Sequence, residues 1–243
     1  MIRKCIFCLS TDESKFNTKE HIFPESLGGE DWALLPDGLF CDDCQNRFGS
    51  TIEQQALADY PFALMRTLLG IQTKKNKNPW FRYHEGFLHS AGEPGKIIYE
   101  PNDFFRKSKN LRNKIHTIVP ASTKKPEFML RTLLKIGLET IAVNDRELVF
   151  EERFDTARNY ALTGKKECSW FYILRENREL MNLYISGKDW SDCHCFCDIH
   201  YENDGLVYMH FRAYYIEFLV PLLENVESDP EDLLDDEITI VKI

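Results

Sequence analysis

The 243-residue sequence predicts an α+β protein: a small metal-stapled unit at the N-terminus, followed by a mixed body of helices and antiparallel sheet. Three observations carry this expectation. Two Cys-x2-Cys pairs, Cys5 with Cys8 and Cys41 with Cys44, fall close together at the start of the chain. Residues 126–143 put Met129, Leu133, Ile136 and Ile141 on one broad helical face. Short runs rich in aromatic and β-branched residues, punctuated by Gly and Pro, recur over 80–119 and 170–219.

Composition sets the outer bounds. Hydrophobic residues at 43% and aromatics at 13% describe a packed globular chain, not a disordered one. No apolar run is long enough for a membrane span, and Met1-Ile2-Arg3-Lys4 leads straight into the first Cys pair. Eight cysteines without a secretory signal indicate reduced thiols and metal, hence a cytoplasmic protein and no membrane partner.

The net charge of −9 is unevenly placed. Residues 224–237 carry eight acids and no base, whereas residues 66–114 carry eleven bases against four acids. Such a basic middle can track a phosphate backbone; a solvated lysine-rich face accounts for it equally well.

Taking the elements in order, each Cys-x2-Cys knuckle turns two sulfurs to one side, and a second knuckle completes a tetrahedral zinc shell. Two disulfides or four inert thiols are the competing readings. The missing signal and the tight spacing disfavour the first, so Cys5, Cys8, Cys41 and Cys44 are expected to hold a structural Zn2+. Between the knuckles stands the step Glu20-His21, preceded by Asn17-Thr18 and followed by a turn-rich loop over 25–39. On an extended segment adjacent side chains diverge, so one can meet a metal while the other meets another atom. A carboxylate on a divalent cation beside a neutral His is what phosphodiester hydrolysis requires. Taken singly, each residue is more often a surface acid or a packed imidazole.

The order Cys-x2-Cys, Glu-His-Ile-x-Pro-x-Ser-Leu-Gly-Gly, Cys-x2-Cys-x-Asn-x-Phe-Gly resembles the HNH endonucleases of the ββα-metal type, in particular their zinc-stapled branch. The resemblance covers residues 5–49 and implies specific roles. His21 would be the general base and Glu20 a ligand of the catalytic cation, Mg2+ or Mn2+. A second ligand would come from an amide at the start of the following helix. The family usually has Asn directly after the fourth Cys. Here that residue is Gln45, with Asn46 one step later, and both stay open as the ligand. The central Asn of the family motif has no counterpart between His21 and Cys44.

The remaining elements follow. Residues 45–60 read as the helix of the ββα unit, with Phe48, Ile52, Ala56 and Leu57 at helical spacing, interrupted by Pro61. Residues 62–69 form a short apolar helix, and the basic stretch 74–78 marks the boundary between a unit of 1–73 and a body of 74–243. Strands are expected at 80–83, 86–89, 96–99 and 114–119, with Arg106-Lys107-Ser108-Lys109 on a loop. After the helix of 126–143, weakened by Gly137, comes a second over 154–162, closed by Gly164. Beyond Cys168, strands are expected at 170–174, 180–185, 193–201 and 206–219, with Asn203-Asp204-Gly205 as a hairpin turn. Cys193, Cys195 and Cys197 share one strand face and read as small buried hydrophobes, not a second metal site. His84, His89, His116 and His210 are each isolated on strand-like pieces.

The expected function is metal-dependent cleavage of DNA phosphodiesters, with restriction or anti-phage defence as the setting by analogy. The alternative is a zinc-dependent nucleic-acid-binding module without catalysis. A homodimer or a regulatory protein partner, including one that silences the isolated protein, is compatible with either.

Overall fold

The computed structural model describes residues 3–27, 31–73, 76–108, 122–165, 169–187, 194–203, 205–224 and 238–243. Mixed helices and two antiparallel sheets make an α+β protein. In the N-terminal unit the β arms shrink to a single antiparallel bridge, His21 opposite Leu34. Ile22 N donates to Ala33 O at 2.8 Å and Leu35 N to Glu20 O at 2.9 Å, which keeps the Glu-His step extended. Lys4 N and Ile6 N bond Gly38 O and Leu39 O, holding the first knuckle beside the approach to the second.

The following helix runs as α1 (Asp42–Arg47), a π-helical stretch (Phe48–Glu53) and α2 (Gln54–Leu57). It starts three residues before the expected position, because Cys41 is its N-cap residue. Phe48, Ile52 and Ala56 are buried, as their spacing requires. A cis bond joins Tyr60 to Pro61, and α3 (Phe62–Leu69) follows. Phe81, Tyr83 and Leu88 bury the inner face of the first sheet, β1 (Trp80–Tyr83), β2 (Gly86–Ser90) and β3 (Ile97–Pro101), on the side next to α3.

Arg106 and Lys107 lie in a short helix, α4 (Asp103–Ser108), and not on the expected loop. Asp103 in its first turn and the two bases in its last complement the helix dipole, a local preference stronger than the loop signal. Lys109, His116, the strand expected at 114–119 and the bases Lys74, Lys75, Arg112 and Lys114 lie outside the described residues.

The central element is α5 (Pro126–Asn144), with Pro126 in its first turn. Every residue from Met129 to Ala142 is buried, so the helix is enclosed on all sides and not on one face alone. Gly137 makes this possible. A Cβ there would stand 2.7 Å from Leu222 Cδ2 and 3.3 Å from Met209 Sδ, so glycine lets α5 lie this close to the second sheet without displacing Leu222. Asp59 Oδ2 accepts Lys124 N at 2.8 Å and Lys125 N at 2.7 Å, tying the start of α5 to the end of the N-terminal helix. The next helix, α6 (Asp155–Thr163), closes on Gly164 in the left-handed conformation, as its sequence predicts.

The second sheet has the order β5-β6-β7-β4-β8, all antiparallel, from β4 (Phe171–Glu176), β5 (Cys195–Tyr201), β6 (Val207–Ala213), β7 (Ile216–Pro221) and β8 (Ile238–Lys242). The strand expected at 180–185 is instead helix α7 (Arg178–Ile185). Asn177 Oδ1 accepts Leu180 N at 3.0 Å and caps it, and Leu180 and Tyr184 stand at i, i+4 spacing, a helical signal that aromatic and branched composition outweighed. The stretch 206–219 is two strands, broken where Tyr214 takes φ 56 in a two-residue hairpin turn. Strand β8 was not anticipated. Cys168, Cys193, Asp204 and the acidic run 225–237 lie outside the described residues. Among those described, no helix is long and apolar enough to cross a membrane.

Candidate active site

The two knuckles converge. The Sγ atoms of Cys5, Cys8, Cys41 and Cys44 all lie within 4.8 Å of one another, with Cys8 to Cys41 at 3.5 Å. Zinc–sulfur bonds of about 2.3 Å in a tetrahedron set sulfurs about 3.8 Å apart, so the cluster suits a structural zinc. The thiols themselves call for a cation. Cys5 is lowered to about 5, chiefly by the hydrogen bond from the Cys44 thiol, while burial pushes Cys41 up to about 12. Cys44 is raised, first by holding that bond to Cys5 and then by burial. A dication among the four sulfurs would favour their thiolate forms. Among the described residues no other group of His, Cys, Asp and Glu side chains has metal-binding geometry. In β5, Cys195 Sγ donates to Leu27 O and Cys197 Sγ accepts from Thr140 Oγ1, both as parts of the packing.

The Glu20-His21 step is set against the helix by two side chains. Asp42 Oδ1 accepts Thr18 Oγ1 at 2.6 Å and the backbone N–H groups of Asn17 and Thr18, and Asp42 Oδ2 accepts Asn17 Nδ2 at 2.9 Å. The Thr18 hydroxyl, then the Asn17 amide, hold the Asp42 carboxyl below its usual range. One turn further on, Gln45 Nε2 donates to Lys19 O at 2.6 Å. Its coordination-capable atom is the opposite one, the amide oxygen. Asn46 is exposed, rotated about 100° round the helix from Gln45. His21 is partly exposed, its Nδ1 3.5 Å from Glu25 Oε1.

Glu20 points to the interior. Its Oε1 lies 2.7 Å from Nζ of Lys135, a fully buried residue of α5. The same ammonium is 3.0 Å from Glu53 Oε1 and 3.1 Å from Glu139 Oε2, and donates to His21 O at 3.3 Å. It also stands 5.6 Å from the centroid of Phe40, the neighbour of Cys41. Burial opposes the Lys135 charge, but the three carboxylates raise its pKa well above the ordinary lysine value. Burial, with Glu20 and Glu53 adding repulsion, pushes Glu139 well up in turn. Three acids therefore share one ammonium.

Residues 5–61 match the HNH endonuclease family. No curated protein and no solved structure matches the chain. The N-terminal unit is thus an HNH domain with a four-cysteine cluster, and nuclease chemistry on a nucleic-acid substrate is what that family implies for it. The match ends at Pro61, so Lys135 reaches Glu20 from outside the matched segment, and Glu139 meets that ammonium from the same helix.

Of the residues singled out from sequence, the structure ties Gln45 to Lys19, the residue before Glu20, while Glu20 turns to Lys135, His21 lies by Glu25 and Asn46 is exposed. Asp42, Glu53, Lys135 and Glu139 were missed. A signal existed for the last two: a Lys and a Glu four residues apart inside the apolar run Leu133, Leu134, Ile136, Leu138, Ile141. Charges there are buried at high cost unless they are paired.

Proposed function

We propose that the protein is a metal-dependent endonuclease that hydrolyses DNA phosphodiester bonds, with His21 as the general base. The observation that supports this best is the tether between Gln45 and Lys19, which sets an amide of the helix beside the Glu20-His21 step. Glu25, near Nδ1 of His21, favours the tautomer that leaves Nε2 as the proton acceptor. His21 would take a proton from the attacking water as its oxygen forms the new bond to phosphorus. Glu20, with the amide oxygen of Gln45 or of Asn46, would hold Mg2+ or Mn2+, which neutralises charge on the phosphate and leaving oxygens. A zinc held by Cys5, Cys8, Cys41 and Cys44 would keep the extended segment and the helix in register.

A second reading has one observation in its favour. Glu20 is already engaged by Lys135, which competes with a cation for its carboxylate and so favours a nucleic-acid-binding module without catalysis. Plasmid DNA incubated with Mg2+ or Mn2+ and either wild type or His21→Ala separates the two. Cutting by wild type alone supports the nuclease. Equal binding with no cutting by either protein supports the module.

A further inference from the structure

The ammonium of Lys135 touches both halves of the Glu20-His21 step: the carboxylate of the first residue and the backbone carbonyl of the second. On an extended segment the two side chains diverge, so fixing Glu20 inward fixes the direction in which His21 leaves the chain. The same group meets the helix through Glu53 and stands over Phe40 beside the second knuckle. Stability alone is a poor reason for such a cluster, since apolar residues of similar volume usually serve a core as well or better. One carboxylate oxygen in it, Glu139 Oε1, is buried without a hydrogen bond, and Glu53 Oε1 has the ammonium 3.0 Å away in place of one. The helix that carries Lys135 is itself bolted to the HNH domain through Asp59.

We propose that Lys135 is a positioning residue of the nuclease site, and that α5 thereby completes a site the HNH domain does not contain by itself. This rests on the nuclease reading above. The ammonium takes one oxygen of Glu20 and shares the carboxylate with the catalytic cation, holding it in place while weakening its grip on the metal.

The test uses the full, zinc-loaded chain in three forms: wild type, Glu139→Gln, and Lys135→Met/Glu139→Gln, which removes the charge pair within α5 together. Mn2+ binding is followed by electron paramagnetic resonance without nucleic acid, and plasmid cutting is measured at saturating Mn2+. Glu139→Gln should behave as wild type. The double variant should keep its zinc, bind Mn2+ about tenfold tighter because an adjacent positive charge is gone, and cut about tenfold slower or worse because Glu20 is no longer held. Unchanged affinity and rate would mean that Lys135 only fills the core, and would overturn the proposal. So would a joint loss of both that follows loss of zinc. Lys135→Arg, which keeps the charge but displaces its donors, guards against a variant that does not fold: wild-type cutting by it also overturns the proposal. If wild type cuts nothing, the nuclease reading falls and the Mn2+ titration alone decides the role of Lys135. There, tightening in the double variant supports the role; an unchanged affinity, or no Mn2+ bound by wild type, ends it.

Discussion

The side-chain nitrogen of Gln45 donates to the backbone carbonyl of Lys19 at 2.6 Å, joining the first turn after the four-cysteine cluster to the residue before Glu20. A side chain of this kind acts by aiming its neighbours as well as through its free oxygen. Gln45→Ala should therefore lower cutting about tenfold to a hundredfold, the usual effect of losing such support, with zinc content unchanged. Zinc analysis beside a plasmid assay checks both parts. Wild-type cutting by the variant would remove Gln45 from the site.

Asp42 gives a prediction with a definite sign in pH. Its folded pKa is lowered by Thr18 and Asn17, so its stabilising effect is complete above the unfolded Asp value of about 3.9. That effect is lost as pH falls through the folded value. Asp42→Ala should lower the melting midpoint at pH 7 by about 2–4 °C. The gap should close in strong acid, where wild type has lost the same contribution. A gap of constant size across the titration would contradict this account.

Zinc should carry much of the folding energy of the N-terminal unit. Cys44→Ser, or a strong chelator, should abolish zinc binding and expose the buried Phe7, Phe40 and Phe48 cluster to solvent. Acid should act in the same direction, since protons compete for the sulfurs. Zinc should therefore be lost progressively as pH falls, and the unfolding signal should follow it. Metal release and intrinsic fluorescence followed together across pH would test this.

Gly137→Ala opposes two effects. Alanine is the better helix former by about 1 kcal/mol. Its methyl would press on Leu222, which is itself fully buried, and overpacking costs about 1–3 kcal/mol. The second effect should win, giving a lower melting midpoint by circular dichroism. A rise in the midpoint would show that Leu222 moves aside freely.

The zinc cluster, the helices of 62–69, 126–143 and 154–162, and the strand of 80–83 were legible because each is specified by neighbours in sequence. Cys-x2-Cys spacing, helical periodicity and a closing glycine are all local signals. The misread stretch 180–185 shows the limit of composition: branched and aromatic residues suggested strand, while one cap at Asn177 favoured helix. Strand β8 carried a local signal too, the β-branched run Ile238-Thr239-Ile240-Val241, masked by the acidic stretch before it.

The identities of the four thiols and of the Glu20-His21 step were determined by sequence alone, because ligand chemistry and residue adjacency survive in one dimension. Which atoms surround Glu20 was decided only by the tertiary structure. Lys135 reaches it from a helix far along the chain, and no periodicity links the two. A buried ammonium finds its acids through packing, since burial makes its solvation loss too costly to leave uncompensated.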